Sequence, residues 1–219
     1  MSDSAIEPLA TGEPLTFPVV LDLVGRCVVV VGGGTVGRRK AAAARLAGAT
    51  VRIIDPNLSE LSPDLGIWIR ESYRPEHLDG AWLVFCAAPA SVNAAAIADA
   101  NARGIWACDA GDPGRGGFVT PAVGRVGSLT VAVSTGGAAP GFAARVRDEL
   151  VAGLDPCYAE WVELLAELRP QVLASLDDPA TRRAAFAKIC EPEWLPRLKA
   201  EGIDAVRRAM RAEAGLSPE

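Results

Sequence analysis

Three glycines spaced for nucleotide phosphates are the first chemistry visible in the chain: Gly32, Gly34 and Gly37, within Gly32-Gly33-Gly34-Thr35-Val36-Gly37. The pattern G-x-G-x-x-G carries weight only in context. Here it follows the β-branched run Cys27–Val31 and opens an Ala-rich helix. In such a turn the first glycine permits the tight reversal, the second lets backbone approach a pyrophosphate, and the third lets helix and strand pack closely. The helix start offers unsatisfied N–H groups and the positive end of its dipole to the phosphates. Asp55 closes the next apolar run, Val51–Ile54, 21 residues after Gly34. A carboxylate there can accept hydrogen bonds from the adenosine ribose hydroxyls and would repel a 2′-phosphate, which favours NAD over NADP. Because Asp55 precedes Pro56, a simple turn role competes with that reading.

Two further segments carry reactive or anion-binding groups. Asp109-Ala110-Gly111-Asp112-Pro113 follows the apolar run Ile105–Cys108. A carboxylate in this loop could exchange a proton beside a nicotinamide, although its composition also suits an ordinary turn. Ser134-Thr135-Gly136-Gly137 leads into a segment holding Arg145 and Arg147. Small residues before a helix can cradle a carboxylate or phosphate, or simply cap the helix. Arg38, Arg39 and Lys40 follow the glycine turn, either as a solvated face or with one of them on an anionic ligand. His77 is the only histidine, in the polar stretch RPEHLDG, and reads as a surface residue. One histidine cannot build a multi-histidine metal site, and no metal ligands are assigned. None of the five cysteines forms a C-x-x-C pair.

The elements that must position these groups alternate. Cys27–Val31, a continuous β-branched run, suits a strand buried on both faces. The segment TVGRRKAAAARLAGA favours helix, with Gly48 placed to end it, and Val51–Ile54 is the next strand. Ile67–Ser72 and Trp82–Ala87 read as strands, Ser91–Arg103 as a helix and Ile105–Cys108 as a strand. Alternation of this kind predicts a parallel, doubly wound α/β sheet, whose carboxyl edge, where ligands bind, receives both the glycine turn and Asp109. From Phe118 to Ser134 two strands join at Gly127-Ser128, and a helix follows. From Asp155 onward only helices are expected. One spans Tyr158–Leu176, with Pro170 expected to kink or break it. Another starts at Asp178-Pro179 and runs through Ile189, and one or two cover Trp194–Met210.

Composition bounds the partners. The 219 residues carry a net charge of −5, with 50% hydrophobic and 22% charged residues. This is a globular composition without the basic surface that nucleic acid requires. No apolar run approaches the ~20 residues of a membrane span. Residues 1 to about 16 read as a loose leader lacking a signal peptide's charged and apolar regions, and the scattered cysteines suit a reducing cytoplasm.

Several separated motifs, in order, carry a family resemblance: FPVVLDLVGRCVVVVGGGTVGRRK; YRPEHLDGAWLVFCAA with Asn93 following; GFVTPAV; and LTVAVSTGGAAPGFAARVRDEL. From about Phe17 to Leu150 the chain resembles the precorrin-2 dehydrogenase and sirohydrochlorin ferrochelatase family, which is also the N-terminal module of siroheme synthase. The resemblance implies NAD-dependent oxidation of precorrin-2 to sirohydrochlorin, with ferrous iron insertion in some members. It implies a Rossmann domain over 17–117, a homodimerisation region over 118–153 and a helical part over 154–219. Dinucleotide contacts carry over to Thr35, Val36, Pro56 and Asn57. Thr135 matches a serine of the family's S-[ST]-G-G segment. The family's catalytic Asp falls on Gly111 when counted without a gap from Phe118 and Pro113, and its Asn three residues earlier falls on Cys108.

The resulting expectation is hydride transfer from precorrin-2 to NAD with proton loss to a loop carboxylate, Asp112 first and Asp109 second. Arg38, Arg115, Arg125, Arg145 and Arg147 are cations suited to the tetrapyrrole's carboxylates, and Ser134, Thr135, Gly136 and Gly137 form a candidate substrate cradle. Two alternatives stand beside it. One is a catalytically weakened protein that binds NAD or tetrapyrrole for sensing. The other is a different NAD-dependent enzyme of the same fold.

Overall fold

Four successive valines cannot all face one core, and in the structure they alternate between two. The computed structural model describes residues 16–57 and 63–217, so all but the last residue of the expected leader lies outside the described residues. Strand β1 (Cys27–Val31) sends Val28 and Val30 into an apolar layer with Ala41 and Ala44 of helix α1 (Thr35–Leu46). Val29 and Val31 join Ala96, Ile97 and Ala100 of helix α2 (Ala90–Ala102) on the opposite face. Alanine on both helices allows the close approach that double burial of a strand requires.

Around β1 lie β2 (Thr50–Ile54), β3 (Ile67–Ile69), β4 (Leu83–Cys86) and β5 (Trp106–Asp109), all parallel, in the order β3-β2-β1-β4-β5. This is the expected doubly wound sheet. The order reverses between β1 and β4, which is the switch point where such sheets bind ligands. Register aligns the strand ends. Val31 pairs with Ile54 and with Cys86, and Cys86 pairs with Asp109.

The chain divides into two compact units, one running to Thr120 and including Thr135–Ala139, the other made of Pro121–Ser134 and the chain from Pro140. In the second unit β6 (Ala122–Val126) and β7 (Leu129–Val133) form an antiparallel hairpin against α3 (Pro140–Gly153). Gly124 is needed there, since a Cβ would lie 2.5 Å from Val151 Cγ2. Four further helices follow: α4 (Cys157–Ser175), α5 (Pro179–Ile189), α6 (Trp194–Glu201) and α7 (Ile203–Glu213). They share a core of Trp161, Leu164, Leu168, Val172, Ile189, Trp194, Leu198, Val206 and Met210.

One expectation is narrowed and one is corrected. Of the kink or break expected at Pro170, the break does not occur, because α4 continues to Ser175. The lost backbone hydrogen bond and ring clash cost about 3 kcal/mol, and full burial of Leu168 and Val172 on either side contributes about 1.5–3 kcal/mol each. His77 is not a surface residue. It is 8% exposed, its Nδ1 accepts the Arg74 N–H at 3.1 Å, and its Nε2 lies 3.5 Å from Glu71. A short 3₁₀ turn over Pro75–Leu78 carries it inward, so the polarity of its neighbours misrepresents its environment. Among the described residues no helix is long and apolar enough to cross a membrane.

Candidate active site

The glycine turn is built so that each glycine meets a different constraint. Gly32 has φ +102°, and a Cβ there would lie 2.4 Å from the Ala87 carbonyl oxygen, so the turn sits directly on the chain leaving β4. A Cβ on Gly37 would lie 1.9 Å from the Gly32 carbonyl oxygen, whereas one on Gly34 would meet nothing within 4 Å. The open position is thus the second glycine, beside the start of α1, whose first N–H groups have no carbonyl one turn earlier to receive them. A pyrophosphate fits this cradle. Thr35 and Val36 are exposed at the helix start, and Pro56 and Asn57 are exposed just after β2.

Asp55 braces the turn. Its Oδ2 accepts the Gly33 N–H at 2.7 Å and its Oδ1 accepts the Asn57 N–H at 2.8 Å. Arg38 folds back over the same loop, donating from Nε to the Gly33 carbonyl at 2.9 Å with its guanidinium 5.3 Å from the Trp68 ring centroid. The three basic residues after the turn therefore part company. Arg39 is exposed. Lys40 turns inward, bonding Thr120 Oγ1 and lying 5.4 Å from the Phe85 ring centroid. Burial pulls its ammonium below the usual lysine range.

At the exits of β4 and β5 stands a second constellation. Asp109, the last residue of β5, is 5% exposed. Its Oδ1 accepts from Asn93 Nδ2 at 3.0 Å, Gly111 N at 2.9 Å and Asp112 N at 3.3 Å. Asn93, buried on α2, also accepts the Ala88 N–H at 2.9 Å and donates to the Cys86 carbonyl at 3.3 Å. Asp112 lies on the exposed loop, its Oδ1 capping Gly114 N at 3.1 Å and its Oδ2 3.0 Å from Arg115 Nε. The Thr135–Gly137 segment is brought to this loop, since a Cβ on Gly137 would lie 2.7 Å from Pro113 Cβ. Thr135 Oγ1 accepts the Ala139 N–H at 3.0 Å.

The structure therefore brings Asp109, Asp112, Arg115 and Thr135–Gly137 into one neighbourhood, and Asp55 and Arg38 to the glycine turn. Ser134, Arg125, Arg145 and Arg147 belong to the second unit. There Arg145 pairs with Glu149, and Arg147 with Asp148. Sequence reasoning missed the bridging role of Asn93, whose signals were its place in the resemblance motif and in the first turn of the helix after β4. All five cysteines are free. Burial pushes the Cys86 thiol up to about 12 and raises that of Cys108 as well, so both are inert hydrophobes. Among the described residues no group of three or more His, Cys, Asp or Glu could hold a metal.

Comparison with known proteins agrees with this geometry. Residues 19–122 match a family model described as "Putative NAD(P)-binding", and residues 126–152 match one described as "Sirohaem biosynthesis protein central". The chain is 33% identical over 195 residues to siroheme synthase 1 of Aeromonas salmonicida, covering 86% of this chain and 42% of that one. It is 32% identical over 216 residues to siroheme synthase of Gluconacetobacter diazotrophicus, covering 92% and 43%. The chain thus spans less than half the length of the curated relatives it matches. Among solved structures, SirC, a precorrin-2 dehydrogenase, has the same fold, with a TM-score of 0.70 at 22% identity over 91% of this chain and 99% of that one.

Proposed function

The chain belongs to the family of the N-terminal, NAD(P)-binding module of siroheme synthase, and from that premise we propose that it is an NAD-dependent precorrin-2 dehydrogenase acting in the cytoplasm. The observation that carries the proposal is a glycine turn, open at Gly34, on the same sheet edge as a buried carboxylate two strands away. NAD supplies the hydride acceptor. The chain supplies the cradle at Gly32, Gly34, Thr35, Val36 and Gly37, with Asp55, Pro56 and Asn57 toward the adenosine. A carboxylate of the Asp109–Asp112 segment accepts the proton that leaves with the hydride. Arg38 and Arg115 serve the substrate's carboxylates, with Thr135, Gly136 and Gly137 completing the cradle. Residues 118–153 pair with a second copy, because β6 and β7 leave every residue at least partly exposed even with α3 against them, and a two-fold copy would cover that surface.

The test is turnover. The chain mixed with precorrin-2 and NAD should generate the reduced dinucleotide and sirohydrochlorin in equal amounts, followed by absorbance. A chain that binds NAD and leaves precorrin-2 unchanged would instead favour the sensing role.

A further inference from the structure

The two candidate carboxylates of the β5 exit are held in opposite ways, and the difference decides which one can take a proton. Asp112 is exposed with both oxygens engaged, one on the Gly114 N–H and one on the Arg115 guanidinium. Asp109 is buried, and Asn93, Gly111 and Asp112 all donate to one oxygen, Oδ1. Among the described residues Oδ2 accepts nothing. An ionised carboxylate offers about four acceptor sites across its two oxygens. Concentrating three donors on one oxygen leaves the other as the place for an incoming proton.

We infer, on the premise that the chain is a precorrin-2 dehydrogenase, that Asp109 Oδ2 is the proton acceptor and that Asn93 is the residue that positions it. Asn93 has no freedom to do otherwise. The Ala88 N–H requires an acceptor and takes Oδ1 of the amide, which obliges the amide nitrogen to face Cys86 O and Asp109 Oδ1. Asn93 therefore ties the exit of β4 to the exit of β5, and the Ala87 carbonyl between its two β4-side partners abuts Gly32. The dinucleotide turn and the carboxylate share one wall. A side chain at Gly111 would begin 3.6 Å from Asp109 Oδ1, so the strand-end carboxylate lies in the neighbourhood that a loop carboxylate at 111 would reach. In the step itself a substrate C–H bond breaks and its electron pair leaves as hydride to NAD. A proton on the adjoining position passes to Asp109 Oδ2, and the pair it leaves forms the new double bond.

The experiment is a mutant cycle on the full chain, with kcat and KM for precorrin-2 measured beside NAD affinity by calorimetry and the melting temperature. Asp109→Asn should lower kcat by ~10²–10⁴-fold, the usual weight of a general base, with NAD affinity unchanged. Asn93→Ala should lower kcat by about 10- to 100-fold, as misplacement of a reacting group does, with KM near that of the parent. The double variant should be no slower than Asp109→Asn alone, because Asn93 acts only through that carboxylate. A merely structural Asn93 would add its own factor. If Asn93→Ala fails to fold, Asn93→Asp keeps the acceptor for Ala88 but exchanges the donor for a second carboxylate beside Asp109, and a loss in kcat at least as large is expected. Asp109→Asn turning over at the parental rate, Asp112→Asn slowing the reaction more than Asp109→Asn, or additive losses in the double variant would each overturn the assignment. A parent chain that binds NAD without oxidising precorrin-2 would remove the dehydrogenase premise and the inference with it. That outcome is distinct from an active parent indifferent to Asp109.

Discussion

One methyl group added at Gly34 and one added at Gly37 should cause opposite failures. Gly34 has φ −68° and ψ −175°, extended backbone open to any residue, and its Cβ would meet nothing within 4 Å. Gly34→Ala should therefore fold. Its structural cost is the weaker helix-capping preference of alanine, about 1 kcal/mol or less, or a fall of about 2–4 °C in a chain of this length. Its binding cost is larger, because the methyl group fills the cradle and lifts the pyrophosphate off the helix start. Losing one or two charge-assisted hydrogen bonds at about 1.5–3 kcal/mol each weakens NAD by roughly 100-fold. That number is readable thermally. NAD at ~100 times the parental dissociation constant stabilises the parent by about 2.7 kcal/mol, and the variant, at equal ligand and dissociation constant, by about 0.4 kcal/mol. The upward shift in melting temperature should shrink from about 5–11 °C to about 1–2 °C. Gly37→Ala meets the Gly32 carbonyl at 1.9 Å, and Gly32 is itself pinned by its N–H on Ile54. Backbone cannot step aside, so about 3 kcal/mol of overpacking should lower the melting temperature by roughly 6–12 °C before any ligand is added. Scanning calorimetry with and without NAD separates the two. A Gly34→Ala chain with the full NAD shift, or a Gly37→Ala chain melting with the parent, would refute the assignment of roles within the turn.

Three further outcomes follow from the same geometry. Asp55→Ala should narrow the preference for NAD over NADP, and calorimetry showing tighter NADP binding by the unaltered chain would contradict the ribose assignment. Light scattering well above micromolar concentration should give the mass of a dimer, and a monomer mass would count against pairing through residues 118–153. In the folded chain iodoacetamide near neutral pH should modify the exposed Cys190 and spare Cys86 and Cys108, whose burial suppresses the reactive thiolate. Peptide mass spectrometry that finds Cys86 modified as fast as Cys190 would refute that protection.

What was legible in the sequence was whatever depends on residues close together in it. The valine run, the glycine turn and the second strand lie within 30 residues, and β1, α1 and β2 form within a residue or so of expectation. Asp178 at a helix start was equally local, and its carboxylate does accept the Thr181 N–H at 2.7 Å. The failures involve partners that the sequence does not announce. Asn93 meets Asp109 only because α2 returns the chain to the sheet edge. Lys40 and Thr120 are 80 positions apart. Pro170 survives inside α4 because the core formed with α5, α6 and α7 outweighs a local rule. His77 was judged by its neighbours' polarity, although burial is a property of the direction a turn takes.

Asp55 shows a different limit, in which two readings of one residue compete only on paper. As a turn residue before Pro56 it should bond nearby backbone, and it does, through the Asn57 N–H. As a ribose acceptor it should lie at the end of the second strand beside the glycine turn, and its bond to the Gly33 N–H places it there. A carboxylate with about four acceptor sites and two donors in place keeps capacity on each oxygen for a hydroxyl. Under the proposed ribose role, this brace would make the contact selective. A carboxylate fixed by two backbone donors would not swing away from a 2′-phosphate, so the repulsion expected to disfavour NADP would be met in full rather than relaxed by a change of rotamer. The same logic holds at Asp109, where three donors on one oxygen immobilise the other. Under the proposed roles, the groups that look merely structural would in both places determine how sharply the carboxylate acts.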